Sequence, residues 1–251
     1  MSDKVELAVR LTASTVIVYM LISTLYLYVA LGERWDLVLS ALLNERVHGA
    51  IVISVVSAFL VGALAIAAAI PVAYVLTYSD FRGKSILETF LIDLPQTFPP
   101  VTEGLVYLLM FGPLGLAYTF AAVVIAKFYV SAPFTISFAA RRFREIKESG
   151  IDTIARSLGA RTSHILGRIL LPVSFRDLTA GFSLTWARAM GELAATLIFA
   201  GAIPWATETL PSLVYLTSRE STEVAIAASV IAESLSIISL LLFKLIAGRS
   251  R

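Results

Sequence analysis

No cysteine occurs anywhere in the chain, and only two histidines do, His48 and His164. The first absence excludes disulfide stapling, thiol catalysis and cysteine-ligated metal. The second sets aside a histidine-built zinc centre, because the two lie far apart with no HExxH-like spacing. No G-x-x-x-x-G-K-[ST] segment is present, so there is no phosphate-cradling loop for ATP. Charge is scarce: Asp, Glu, Lys and Arg make up 15% of 251 residues and the net charge is +2. That is too little for a broad polyanion-binding surface, and no nucleic acid partner is expected. The chain is filled instead with apolar residues, at 58% of the sequence and a mean hydropathy of +0.84. A soluble domain of this length is less apolar, so lipid is the expected solvent.

The run Leu11 to Gly32 carries no charge over 22 residues. As a helix it covers roughly 33 Å, about one hydrocarbon core. A cleavable signal peptide is the competing reading, but the run exceeds the usual ~7–15 apolar residues and no A-x-A-like site follows it. A second charge-free stretch, Gly49 to Ser79, is interrupted only by Pro71, and its excess length implies tilt or protrusion. From Leu91 to Ala140 the chain is too long for one crossing, and Phe111-Gly-Pro-Leu-Gly115 supplies the break. Two further spans contain Arg188 with Glu192, and Glu233. The expectation is one all-α membrane domain over 1–251, with six transmembrane helices near 11–32, 50–78, 91–111, 115–140, 173–202 and 224–247, and a long loop over 141–172.

Cytoplasmic loops retain positive charge, so the Lys and Arg distribution sets the orientation. One side would hold Lys4, Arg10, Arg82, Lys84, Arg141, Arg142, Arg144, Lys147, Arg156, Arg161, Arg168, Lys244, Arg249 and Arg251. The other would hold Arg34, Arg46 and Arg219, while Lys127, Arg176 and Arg188 fall within or at the edge of spans. Fourteen against three predicts that both termini are cytoplasmic.

The 141–172 loop is the only long hydrophilic segment, and a simple connector needs far fewer residues. In its middle, Ile151, Ile154, Ala155 and Leu158 recur at i, i+3, i+4 and i+7, which predicts a short amphipathic helix, with Gly159 as its C-terminal cap. An apolar stripe outside the bilayer must be buried somewhere. A groove on another protein and the lipid headgroup layer both satisfy that requirement, and periodicity does not separate them.

Spacing adds a resemblance. Asp152-Thr-Ile-Ala-Arg-Ser-Leu-Gly159, nine residues, then Ile169-Leu-Leu-Pro172 resembles the E-A-A-x-x-x-G, nine residues, I-x-L-P motif of ATP-binding cassette (ABC) importer permeases. Ala155, Gly159, Ile169, Leu171 and Pro172 fall on motif positions. Thr153 stands where the family has Glu, Ile154 where it has the first Ala, and Asp152 is a carboxylate one position early. The resemblance implies that Ile151, Asp152, Ile154, Ala155, Arg156, Leu158, Gly159 and Pro172 belong to a coupling loop docked on a nucleotide-binding subunit. ATP and Mg would then be bound by that partner, with no cofactor on this chain.

Other segments are similar to those of oxyanion importers for molybdate, tungstate and sulfate: Pro71-Val-Ala-Tyr74, Phe81-Arg-Gly-Lys84 and Leu94-Pro-Gln-Thr-Phe-Pro-Pro100. Arg188-Ala-Met-Gly-Glu-Leu-Ala-Ala-Thr-Leu-Ile-Phe-Ala-Gly201 is similar to the R-A-L-G-E-F-G-A-T-x-x-F-A-G-N of molybdate permeases, with Ala202 in place of the Asn. This implies a type I ABC importer permease in a prokaryotic cell membrane. It would work as a homodimer with two ATPase subunits and an extracytoplasmic substrate-binding protein, carrying molybdate or tungstate, with sulfate as the alternative. The extracytoplasmic loops near Glu33–His48 and Pro204–Thr222 are too short to enclose a ligand, and Trp35, Trp205 and Glu208 are candidate contacts for a donor protein, with interfacial anchoring the competing reading.

Charges inside spans call for partners. Arg188 and Glu192, four apart, can pair on one helix face, or Arg188 can face the translocation path and attract a dianion. Glu103 and Lys127 form a second candidate pair across helices, against plain packing for Glu103 and snorkelling for Lys127. Two other classes remain. A secondary transporter would carry inverted repeats, and none is evident. An intramembrane enzyme would need a convergent nucleophile and base, and the spans offer none.

Overall fold

The structure, a computed structural model, describes residues 3–248; Arg249 and Arg251, counted above with the cytoplasmic charges, lie outside the described residues. These are helical, with no strand among them. Helix α1 (Asp3–Leu31) stands apart on α13, with Tyr28 OH 2.9 Å from Ser234 Oγ, and its apolar side chains from Leu7 to Tyr26 are exposed. A helix apolar on nearly all sides suits lipid. A short α2 (Trp35–Leu42) leads to α3 (Glu45–Tyr78), whose start is capped by Asn44 accepting the Arg46 N–H at 2.9 Å.

Beyond α3 the chain runs through α4 (Lys84–Glu88), α5 (Leu94–Thr97) and α6 (Pro100–Phe111) into α7 (Phe120–Glu148). Then come α8 (Ile151–Ser157), α9 (Thr162–Ile165), α10 (Leu171–Met190), α11 (Ala194–Ala200), α12 (Leu210–Thr217) and α13 (Thr222–Gly248). The helices α3, α7 and α10 pack on one another as the central trio, α13 lies on α10, and α11 wedges between α6 and α7.

Small residues let the trio approach closely. Along α3, Ala50, Ser54, Ser57, Ala58, Gly62, Ala65, Ala69 and Ala73 are buried at three- and four-residue spacing. Gly62 lies so near α10 that an added Cβ would sit 2.4 Å from the Phe182 ring. Polar clamps replace hydrophobic driving force between helices in lipid. Thr135 and Thr185 hydroxyls lie 2.8 Å apart, and Ser54 Oγ accepts the Leu210 N–H at 2.8 Å, tying α12 to α3.

Four helices are long and apolar enough to cross a membrane: Val5–Leu31, Glu45–Tyr78, Phe120–Glu148 and Thr222–Phe243. The segments expected as continuous spans at 91–111 and 173–202 are instead broken. The first passes through a π-turn at Thr89–Asp93, then α5, then extended backbone at Phe98 and Pro99 before α6. The second breaks at Gly191–Leu193 between α10 and α11. A second π-turn, Leu166–Leu170, precedes α10. Both π-turns end at a Leu-Pro pair, Leu94-Pro95 and Leu171-Pro172, where the Leu N–H reaches back five residues, to Thr89 O and Leu166 O. A proline ring clashes with the carbonyl four residues earlier, and widening the preceding turn relieves that clash. The long loop expected from residue 141 also starts later, because α7 continues through Glu148.

Candidate functional site

Two regions bring the sequence-marked residues together. The first is α8, at the end of the bundle where α3 and α7 finish. Gly150, at φ +75°, turns the chain out of α7, and Gly159, at φ +85°, ends α8. The Ala160 N–H reaches Ala155 O at 3.0 Å and the Gly159 N–H reaches Arg156 O at 2.9 Å, the paired bonds of a Schellman cap. The cap fixes which face of α8 points outward. Ile151, Ile154 and Leu158 are 49%, 62% and 83% exposed, whereas Ala155 is half-buried against the apolar cluster formed by α3, α7 and α10.

The inner face of α8 sits on aromatic rings. Tyr74 and Tyr78, one turn apart on α3, stack with centroids 4.9 Å apart. Arg156 donates to Tyr74 OH at 3.3 Å and its guanidinium lies 5.8 Å from the Tyr78 ring centre, with Lys147 Nζ 5.5 Å from the same ring. Arg144 forms a further ion pair with Glu88, holding α4 to α7. Asp152 is 3% exposed and faces into the bundle, so its carboxylate does not lie on the outward face. Pro172 lies at the start of α10 after the second π-turn and fixes where the loop re-enters the bundle.

The second region is the bundle interior around the Gly191–Leu193 break. Arg188 Nη1 lies 2.7 Å from Glu192 Oε2, and Glu192 Oε1 accepts the Ala195 N–H at 3.1 Å, so one carboxylate serves an ion pair and the start of α11. Glu192 is buried and Arg188 is half-exposed. Arg188 also lines a cavity of about 280 Å³ walled by the Pro95–Pro100 turn, Val130 and Phe134. The loss of regular helix around Pro99 therefore opens a space against a guanidinium.

Glu103 and Lys127 are the second candidate pair. They are not paired with each other among the described residues. Lys127 does not snorkel: it is completely buried and donates to Ser57 Oγ at 2.8 Å. Glu103, on α6, is buried with no hydrogen-bond partner on either carboxylate oxygen among the described residues. Glu208 is also corrected as a candidate contact, since it is fully buried and gripped by Arg46, while Trp35 and Trp205 remain exposed. Sequence reasoning missed Ser57, and missed Tyr74 and Tyr78 as a platform; the i, i+4 tyrosines beside the 141–172 loop's basic residues were the available signal for the latter.

Comparison with known proteins agrees with this arrangement. Residues 64–251 match the family of binding-protein-dependent transport system inner membrane components. A probable molybdenum ABC transporter permease of Haloferax volcanii is 36% identical over 165 residues, which span 62% of this chain and 61% of that protein. The molybdate/tungstate transport system permease WtpB of Thermococcus kodakarensis is 31% identical over 184 residues, 73% of each chain. In fold, the chain is similar to a solved bacterial alginate ABC transporter in complex with an alginate pentasaccharide-bound periplasmic protein, with a TM-score of 0.68 over 96% of this chain and 93% of that one, at 14% identity. A helical bundle with an outward-facing apolar helix at one end, joined to a family match over three-quarters of its length, leaves one assignment: the chain belongs to the binding-protein-dependent transport system inner membrane components, the permeases of ABC importers.

Proposed function

We propose that this chain is the translocation subunit of an ATP-driven importer of molybdate or tungstate, coupled through α8 to a separate ATPase. The observation that carries the reading is the exposed ridge of Ile151, Ile154 and Leu158, with Arg156 of the same helix seated on Tyr74 and Tyr78. An apolar ridge on a fixed platform fits a helix-in-groove contact, and rigidity lets it transmit displacement. The EAA-like spacing around Ala155 and Gly159 supports an ATPase as the occupant.

In this reading the chain crosses the membrane six times, with α5–α6 and α10–α11 as the two broken crossings and both termini in the cytoplasm. Two copies face one another, two ATPase subunits dock on the two α8 ridges, and an extracytoplasmic binding protein delivers the anion. The substrate class is supported by the two relatives above, a probable molybdenum permease and a molybdate/tungstate permease, and by Arg188, a cation at the wall of a cavity. ATP binding would close the ATPase pair, draw the ridges together and open the cavity to the far side.

The test is uptake of molybdate and tungstate into proteoliposomes, with binding protein present and with or without the ATPase subunit. ATP-dependent uptake that needs the ATPase is expected. Uptake driven by an ion gradient through this chain alone would overturn the reading.

A further inference from the structure

Four ionisable side chains, Glu103, Lys127, Arg188 and Glu192, meet in the bundle, and only Arg188 and Glu192 form an ion pair there. Apolar packing shows how near the other two are. Ala122 and Ala126 of α7 share one cluster with Ala195 and Phe199 of α11, which brings the turn of α7 that carries Lys127 against α11. A Cβ on Gly104 would lie 2.8 Å from Ala195 O, which sets Glu103 beside the same turn. Glu192 caps that turn and lies within Coulomb range of both.

A buried ion without a counter-ion is costly in a protein interior and more so in a bilayer. Lys127 holds only a neutral hydroxyl and Glu103 holds nothing, immediately beside a completed pair. The same four side chains admit a second pairing: Glu192 with Lys127, leaving Arg188 free for an anion in the adjoining cavity, or for Glu103 when the cavity is empty. Such a set, with two discrete arrangements of similar composition, is a bistable element.

We propose that Lys127 is the alternate counter-ion of Glu192, so that an arriving oxyanion takes Arg188 while Glu192 transfers to Lys127, and the Arg188–Glu192 pair re-forms as the anion leaves. Lys127 is then a positioning residue acting through Glu192. The arrangement answers a physical difficulty: a bare arginine at the cavity wall would hold a dianion tightly, whereas one with a competing carboxylate releases it. The inference rests on the proposed role of Arg188 as the oxyanion contact.

The test is a double-mutant cycle in the complete reconstituted transporter, read as ATP-driven uptake of molybdate. Lys127→Met is expected to lower uptake at subsaturating anion about tenfold, since Glu192 has nowhere to go. In a Glu192→Gln background the same substitution is expected to change uptake less than about twofold, because the group it serves is gone. An equal loss in both backgrounds, or no loss in either, would overturn the proposal and leave the importer reading standing. Failure of the unmodified complex to take up molybdate or tungstate would overturn both. Should Lys127→Met not assemble, Ser57→Ala decides: freeing Lys127 from its hydroxyl favours the second pairing and is expected to lower the half-saturating anion concentration about fivefold. An unchanged or raised value would refute the exchange.

Discussion

Arg46 holds Glu208 through two nitrogens, Nε to Oε2 at 2.9 Å and Nη2 to Oε1 at 2.7 Å, joining the start of α3 to the turn before α12. The partners are unequal: the Glu208 side chain is fully buried, whereas that of Arg46 is 38% exposed. Removing Arg46 strands a buried carboxylate, at about 3–5 kcal/mol. Removing Glu208 leaves a guanidinium that water reaches, at about 1 kcal/mol. Arg46→Ala is therefore expected to lower the Tm of the purified protein more than Glu208→Ala does, as read by thermal unfolding in detergent. The reverse order would mean that this pair does not hold the turn.

Leu158, at 83% exposed, contributes nothing to its own fold that a polar residue would remove. Leu158→Asp is expected to leave expression and Tm unchanged while weakening ATPase association by at least about 30-fold, the scale of an interface hot spot. Co-purification and titration with the ATPase subunit measure this. A parallel fall in Tm would show that the ridge is part of the bundle.

Gly159 adopts φ +85° with nothing within 4 Å of a built Cβ, so space does not restrict it and backbone does. A β-branched residue there costs about 1–2 kcal/mol in the left-handed region. Gly159→Val is expected to fray the Schellman cap and release α8 from its platform, so that ATP hydrolysis continues while uptake falls and membrane insertion is intact. Gly159→Asn, which tolerates this backbone, is expected to retain more uptake. Equal uptake by the two variants would count against cap geometry as the cause.

Gly62 offers a packing control away from either site. Its built Cβ would meet the Phe182 ring at 2.4 Å, and Phe182 is itself boxed in by Phe59, Trp186 and Phe243. Gly62→Ala is expected to destabilise by about 1–3 kcal/mol through overpacking. Phe182→Leu in the same chain should recover most of the lost Tm, and no recovery would place the strain elsewhere.

Much of this arrangement was legible in the residues. Apolar runs placed α1, α3, α7 and α13, and the 3.6-residue spacing of Ile151, Ile154 and Leu158 placed the ridge on α8. The Phe111–Gly115 break also stands where its glycines and proline put it. Other features were hidden because hydropathy averages over them. Neither π-turn changes composition, and each is set by a proline two residues beyond its end. The break at Gly191–Leu193 lies inside an apolar stretch, marked only by Gly191 and Glu192.

Side-chain direction was hidden more deeply. Asp152 and Ile151 are neighbours in sequence, yet one faces the bundle and the other faces out, a difference fixed by where Gly150 starts the helix. Lys127 was expected to reach for an interface, but Ser57, seventy residues earlier in the chain, holds it inside. Long-range partners of that kind carry no periodic signature.

The central claim is that the α8 ridge meets a separate ATPase. The most direct measurement replaces Leu158 with a photo-crosslinking residue and irradiates native membranes from cells that express the whole transporter. The account predicts an adduct with an ATPase chain that disappears when Ile154 is also changed to Asp. Adducts with lipid alone, in membranes where the ATPase is present, would contradict it.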